Sequence, residues 1–378
     1  MNIKDFILEL EDLDIDFYTG VPDSFLTPLC DYLMSHYGIS SKHIVAANEG
    51  AAVGLAAGHY LATGKKTLIY MQNSGIGNAV NPICSLINRE VYAIPALFVI
   101  GWRGEPNIKD EPQHIFQGKI TPNLLSCIGV KYHILTEDDD QSELQHAVSE
   151  AKKEFEQGNS YAFIVKKGAL INDIKGVYQS DKPLSREEVI HSIVESTYKD
   201  SIFISTTGKL SRELFEIREK LFQDHERDFL TVGSMGHSSM IALGIAKERT
   251  DKKVFCLDGD GALLMHMGSL AVIGSNSPSN FIHVLINNSS HETVGGIPTV
   301  SDDINYGDIA LACGYKKVYR IKTKEELLSC INLINFEVEG PIWIEVFTNL
   351  ESRKDLGRPT KSTIENKEAF MNYIRGEK

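Results

Sequence analysis

Between Lys253 and Ser290 the chain reads KVFCLDGDGALLMHMGSLAVIGSNSPSNFIHVLINNSS. An apolar run meets a Gly-Asp-Gly turn, a helical stretch follows, and a second apolar run ends on an Asn pair. Asp260 offers a charged oxygen and Asn288 a neutral one. A hard cation such as Mg²⁺ takes one or two such ligands from protein and completes its shell with phosphate and water. The neutral amide adds no repulsion against a phosphate. Gly259 and Gly261 admit close backbone approach, and a helix starting there turns its first amides toward an anion. A lone Gly-Asp-Gly is common loop chemistry; the spacing makes the difference. Gly261 and Asn287 bracket 25 residues, the length of one crossover. Asp260 and the Asn pair are therefore expected at the C-terminal ends of neighbouring parallel strands, the edge where open α/β sheets bind ligands.

Four further segments hold chemically useful residues. Glu49 is the only acid between Asp31 and Glu90 and stands at the mouth of GAAVGLAAGHYLATG, an almost uncharged small-residue helix, so it is expected to be buried. Its plainer reading is an acid at a helix N-terminus, capped by Asn48 and favoured by the macrodipole. STTGK (Ser205–Lys209) follows an apolar run and offers Thr206, Thr207 and Gly208 as hydroxyl and amide donors. VGSMGHSS (Val232–Ser239) precedes an apolar helix, and QNSGIGN (Gln72–Asn78) ends another strand-like run.

The elements that must position these groups alternate strand with helix, the pattern of parallel α/β sheets. Strands are predicted at 17–19, 44–46, 67–71, 96–100 and 162–165, then at 201–205, 254–257, 281–286 and 342–346. Helices are predicted at 25–35, 50–62, 79–88 and 144–157. The stretch INDIKGVYQSDKPLSREEV is polar and aperiodic until Ser185, which with Glu188 fits a capping box opening the next helix. This divides the chain into a domain of residues 1–175, a linker of 176–184 and a second domain of 185–378.

The chain has 378 residues, enough for two cores, and a formal net charge of −13 that argues against nucleic acid or an anionic membrane as the main partner. No apolar run approaches the roughly 20 residues of a membrane span, and the acid-dotted N-terminus does not read as a signal peptide. The six scattered cysteines contain no CxxC pair. They are expected to be buried free thiols of a reducing cytoplasm.

Asp-Gly followed at this distance by Asn-Asn resembles the metal and diphosphate motif of thiamine diphosphate enzymes. The resemblance implies two parallel-sheet domains, one pyrimidine-binding and one diphosphate-binding. It implies Mg²⁺ held by Asp260, Asn288 and the carbonyl of Ser290, with Gly261 and Ala262 at the diphosphate beside Thr206, Thr207 and Gly208. Glu49 in NEGAAVGLAAG takes the place of the acid that faces the aminopyrimidine. Met235 takes that of the apolar wedge under the bent cofactor, Gly233 that of the carbonyl accepting from its 4′-amino group, and Asn73 and Gly75 line the thiazolium side.

There is no room for the middle domain that most such decarboxylases carry. The layout, and TGVPDSFLTPLCDYL, GWRGEPNIKDEPQH and HETVGGIPT, resemble the family of two-domain decarboxylases acting on phosphonopyruvate and sulfopyruvate. A small 2-oxo acid with a second anionic group is the implied substrate, and a homo-oligomer with active sites at a chain interface the implied assembly. A thiamine-dependent carboligase is the more distant alternative. Arg103 can offer a bidentate fork to the anion, with Lys109 a weaker candidate, or it can pair with Glu105 or Asp110. His114 and His291 are candidates for proton transfer or anion binding. Ile297 stands where this family carries Gln.

Overall fold

The computed structural model describes residues 1–376 and divides into two compact units, Met1–Val177 with Val294–Ile297, and Tyr178–Thr293 with Pro298–Lys378. Each unit is built on one six-stranded sheet.

In the first unit the strands are β1 (Ile15–Gly20), β2 (His43–Val45), β3 (Lys66–Gln72), β4 (Leu97–Gly101), β5 (Lys131–Leu135) and β6 (Tyr161–Val165). They lie in the order β2-β1-β3-β4-β6-β5, all parallel. Central β4 reads LFVIG and is buried throughout, as expected for a parallel strand covered on both faces. Ala52, Val53, Ala56 and Ala57 of the helix Glu49–Thr63 pack with Ile69, Met71, Phe98 and Ile100 of the sheet. Small residues let helix and sheet approach closely, which is why this helix is nearly free of charge.

The second unit contains β7 (Ile202–Ser205), β8 (Asp228–Leu230), β9 (Val254–Gly259), β10 (Phe281–Asn287), the two-residue strands β11 (Ser290–His291) and β12 (Ile297–Pro298, which straddles the boundary between units), β13 (Lys317–Ile321) and β14 (Ile342–Phe347). Its sheet runs β13-β14-β10-β9-β7-β8, again parallel. Side-chain alternation along β9 and β10 splits the core. Phe255, Leu257, Ile282, Val284 and Ile286 face one layer; Val254, Cys256, Phe281 and Leu285 face the other. Ser185 and Glu188 do form a reciprocal capping box at the start of helix Arg186–Ser196.

Every predicted strand is present within two residues of its expected ends. Three strands of the two six-stranded sheets escaped prediction, β5, β8 and β13, as did the two-residue β11 and β12. Helix 79–88 is corrected to Ile76–Pro82 followed by a wide turn, Ile83–Ile87; Pro82 lacks the N–H that would continue the regular ladder. The cysteines are free, but only Cys30, Cys256 and Cys330 are buried; Cys84 and Cys127 are exposed and Cys313 is intermediate. Among the described residues no helix is long and apolar enough to cross a membrane.

Candidate active site

The register of the second sheet sets the first group. Gly259 ends β9 opposite Ile286 of β10, so Asp260 and Asn287–Asn288 emerge from neighbouring strand tips as the spacing required. Asp260 is buried, and its Oδ2 accepts from Thr299 Oγ1 at 2.6 Å and Ser301 Oγ at 3.1 Å. Ser301 is tied in turn to Tyr306 at 2.8 Å. No basic side chain among the described residues pairs with Asp260. Burial pushes its carboxyl up to about 6, since desolvation penalises the charged form and two hydroxyls compensate only in part. A buried acid without a cation, at the mouth of a ligand-binding sheet edge, fits a divalent ion.

The two asparagines have different tasks. Asn287 is fully buried and spent on structure: its Nδ2 donates to Glu345 Oε1 at 2.9 Å, and its Oδ1 accepts from the Ser289 amide at 3.0 Å and hydroxyl at 3.1 Å. Asn288 is half-buried; its Nδ2 donates to Glu292 Oε2 at 3.2 Å and its Oδ1 accepts from the Ser290 amide at 3.1 Å. Ser289, between them, adopts φ 59°. Of the pair, Asn288 has the oxygen less committed to the sheet.

Met235, Gly261 and His291 converge. A Cβ on Gly261 would lie 3.1 Å from the His291 ring and 3.4 Å from Met235 Cε. Glycine therefore holds the helix start close to both side chains. Ala262 beside it is buried. Gly233 is half-buried in a loop where Ser234 and Gly236 both take positive φ, 51° and 88°. Thr207 donates its hydroxyl to the Val232 carbonyl at 2.7 Å, so only its amide is left to offer an anion. Thr206 is buried and its carbonyl accepts from Ser211 Oγ at 2.6 Å. Gly208, at φ 96°, is the residue before helix Lys209–Lys220.

The first unit holds the second group. Asn48 caps helix Glu49–Thr63 by accepting from the Ala51 amide. The cap fixes the first turn and with it Glu49, which is buried as expected. Glu49 Oε2 accepts from Asn78 Nδ2 at 2.8 Å, and burial raises its carboxyl above the ordinary range. Gly75 closes over it: a Cβ there would stand 2.2 Å from Glu49 Oε1. An acid held this way is poised to share a proton with a ring nitrogen, so these residues also fit the implied cofactor.

Asn73 has its side chain engaged within the first unit. It is buried, and its amide is consumed by Arg103, accepting from N at 3.0 Å and donating to O at 2.8 Å, and by Thr121 Oγ1 at 2.9 Å. Its side chain braces the β3 and β4 loops and is not left over for a ligand. Arg103 forks onto Asp110, with Nε to Oδ2 at 2.8 Å, and lies over the Phe25 ring at 5.0 Å. Lys109 of the same loop is exposed. The helix Pro112–Cys127 brings His114 to this loop. Its Nδ1 is buried without a protein partner, and burial together with nearby Arg103 lowers its pKa to about 4. Burial lowers His291 to about 4 as well. Both are neutral imidazoles at neutral pH.

Sequence reasoning missed Thr299, Ser301, Asn78 as the partner of Glu49, and Asp23. Asp23 is fully buried beside Gln72. Thr299 and Ser301 lie some forty residues from Asp260, in a stretch without periodicity that could have announced them. One further grouping of potential metal ligands, Cys256, Asp258 and His283, lies inside the second unit. His283 there is bonded to Tyr315 and Asp258, and burial pushes the Cys256 thiol well up, so the trio is bonded internally as part of the core.

Glu49 and Asp260 are each buried without a basic partner among the described residues, and each belongs to its own parallel-sheet α/β unit; the comparisons with known proteins concern the domains that carry them. Residues 1–125 match the N-terminal TPP binding domain of thiamine pyrophosphate enzymes and residues 219–346 the C-terminal TPP binding domain. The chain is 30% identical to a phosphonopyruvate decarboxylase of Streptomyces viridochromogenes, over 98% of this chain and 94% of that one. It is 29% identical to a phosphonopyruvate decarboxylase of Streptomyces hygroscopicus, over 99% and 94%. It is 27% identical to a sulfopyruvate decarboxylase of Methanosarcina acetivorans, over 84% and 85%. The chain belongs to the thiamine pyrophosphate enzyme family, in its form without a middle domain.

Proposed function

We propose that the chain is a thiamine diphosphate and Mg²⁺ dependent carboxy-lyase that converts 3-phosphonopyruvate and a proton to phosphonoacetaldehyde and CO₂. The observation that carries this reading is the near end-to-end likeness to two phosphonopyruvate decarboxylases, in a chain that keeps Glu49 and Asp260 buried and without a basic partner among the described residues. The likeness to sulfopyruvate decarboxylase is lower and shorter, and supports that activity as the second reading.

In this proposal Asp260, Asn288 and the Ser290 carbonyl hold the metal; the Thr206 amide is spent on the Leu257 carbonyl at 2.8 Å, so the Thr206 hydroxyl and the amides of Thr207, Gly208, Gly261 and Ala262 face the diphosphate. When bound, the cofactor supplies an electron sink for the pair released as the bond between the carboxyl carbon and C2 breaks. Glu49 holds a proton at the pyrimidine, the state its burial favours. Met235 and Gly233 support that ring. Arg103, whose Nε–Nη2 edge is taken by Asp110, faces the second anion of the substrate with its remaining Nη1 edge. His114 and His291, neutral at working pH, serve as hydrogen-bonding partners of the reacting groups and as relays for the proton that replaces CO₂ on C2. We also read the chain as a cytoplasmic homo-oligomer of at least two copies; its six free thiols support a reducing compartment.

Cofactor-dependent CO₂ release from phosphonopyruvate, sulfopyruvate and pyruvate, measured side by side, tests the proposal. Phosphonopyruvate is expected to have the highest kcat/KM. Faster turnover of sulfopyruvate would move the assignment to the second reading, and release of no CO₂ from any of the three would overturn it.

A further inference from the structure

Glu292 follows His291 and has no part in the reading above, yet it sits at the junction of the metal loop and the diphosphate loop. Its carboxylate is largely buried. Oε1 accepts from Lys209 Nζ at 2.8 Å, and Lys209 also reaches Ser352 Oγ at 2.7 Å. Oε2 accepts from Arg186 Nη1 and from Asn288 Nδ2 at 3.2 Å. The other edge of Arg186 forks onto Glu213 at 2.6 and 2.7 Å. Two cations therefore face two carboxylates, and the network needs no further charge.

The bond to Asn288 has a consequence that the ion pairs do not. A carboxamide is nearly symmetric in shape, so its oxygen and nitrogen can exchange places by a half-turn about the last side-chain bond. A divalent ion accepts only the oxygen. An ionised carboxylate is acceptor-only, so Glu292 can bond the Asn288 amide in one sense alone, with the nitrogen toward itself. The reverse orientation would press two lone-pair oxygens together without a proton between them. Arg186 and Lys209 each donate to one oxygen of Glu292 and so hold it in place as an acceptor.

We propose that Glu292 is a positioning residue that selects the metal-facing orientation of the Asn288 side chain, and that the Arg186–Lys209–Glu213 network exists to hold it there. The proposal rests on the reading that Asn288 ligates the ion. It joins the helix starts at Arg186 and Lys209 to the tip of β10, so that one carboxylate sets the metal ligand while restraining the residue after Gly208.

The test is Mn²⁺ affinity, read by electron paramagnetic resonance at saturating thiamine diphosphate, for Glu292→Gln, Asn288→Ala and the double variant. Glutamine has the shape of glutamate but bonds an amide in either sense, so it removes the selection made by Glu292, keeps the contact, and leaves only the Ser290 amide to hold the Asn288 oxygen. Each single variant is expected to raise the Mn²⁺ Kd about 10–100-fold, the usual cost of losing a partner that orients a ligand. The double variant is expected to match Asn288→Ala alone, because Glu292 acts through that amide. Should Glu292→Gln fail to fold, Glu292→Asp, one methylene shorter, keeps the charge for Arg186 and enters the same cycle. An unchanged Kd in the Glu292 variant beside a weakened Asn288→Ala, or effects that multiply in the double variant, would overturn the proposal. An unchanged Kd in Asn288→Ala would instead remove the ligand assignment, and the proposal with it.

Discussion

Gly75→Ala is the most informative single perturbation of the first unit, because its effect is steric and confined to one carboxylate. Gly75 has φ −78° and ψ −13°, values open to any residue, so alanine brings no backbone strain. Its methyl group, however, would lie 2.2 Å from Glu49 Oε1, 2.5 Å from Cδ and 2.6 Å from Cγ. The carboxylate must retreat by about 1 Å, and a displacement of that size at a reacting group costs on the order of 100-fold in rate. That is about 2.7 kcal/mol of barrier. The movement also stretches the bond from Asn78, worth about 1 kcal/mol, so the thermal midpoint should drop only slightly. The assay is steady-state CO₂ release from phosphonopyruvate at saturating cofactor and Mg²⁺, with cofactor affinity measured separately. The expected result is a kcat near one hundredth of wild type in a folded protein that still binds cofactor. A kcat within threefold of wild type would refute the claim that Glu49 acts from the position Gly75 leaves for it.

Three other outcomes follow from the same geometry. Glu49 has a raised folded-state pKa, so the native protein binds the proton more tightly than the unfolded chain, and stability falls as pH rises from the unfolded carboxyl value through the folded one; in urea denaturation without cofactor, Glu49→Gln should exceed wild type in stability at pH 7.5, with the gap closing near pH 4. Asp260 must be ionised to hold a metal, and its pKa is pushed up to about 6, so Mn²⁺ affinity should fall steeply as pH drops below 6; a flat profile between pH 7 and 5 would contradict its role. Asn73→Ala strands the buried backbone groups of Arg103 and should cost about 2–3 kcal/mol in unfolding free energy, where a loss under 0.5 kcal/mol would mean that the loops do not depend on this brace.

Much of the fold was written in local patterns. Strands such as LFVIG and FIHVLIN are buried on both faces, so their apolar runs stand out. The three that escaped from the six-stranded sheets, β5, β8 and β13, lie at their edges. β5 and β13 carry exposed Lys131 and Arg320, as a half-solvated edge strand does to discourage further pairing, whereas β8 is only three residues long and its Asp228 is buried against Arg218. The site was legible in the same uneven way. Asp260 and Asn288 were visible because a crossover of fixed length separates two strand tips, and Glu49 because it is a lone acid at an apolar helix start. That Arg103 and Thr121 consume the Asn73 side chain was hidden, because the type and position of a loop amide do not reveal its partners. Thr299, Ser301 and Glu292 were invisible for the converse reason: each matters through a contact with a residue distant or differently placed in the chain, and no short-range spacing encodes it.

The most direct measurement is calorimetric titration of thiamine diphosphate into the metal-depleted protein, with Mg²⁺ and with a chelator, for wild type and Asp260→Ala. If neighbouring strand tips clamp an ion onto the diphosphate, wild type binds the cofactor tightly only with Mg²⁺, and Asp260→Ala binds it weakly under both conditions. Equal affinity with Mg²⁺ and with chelator, or an Asp260→Ala variant indistinguishable from wild type, would contradict that account.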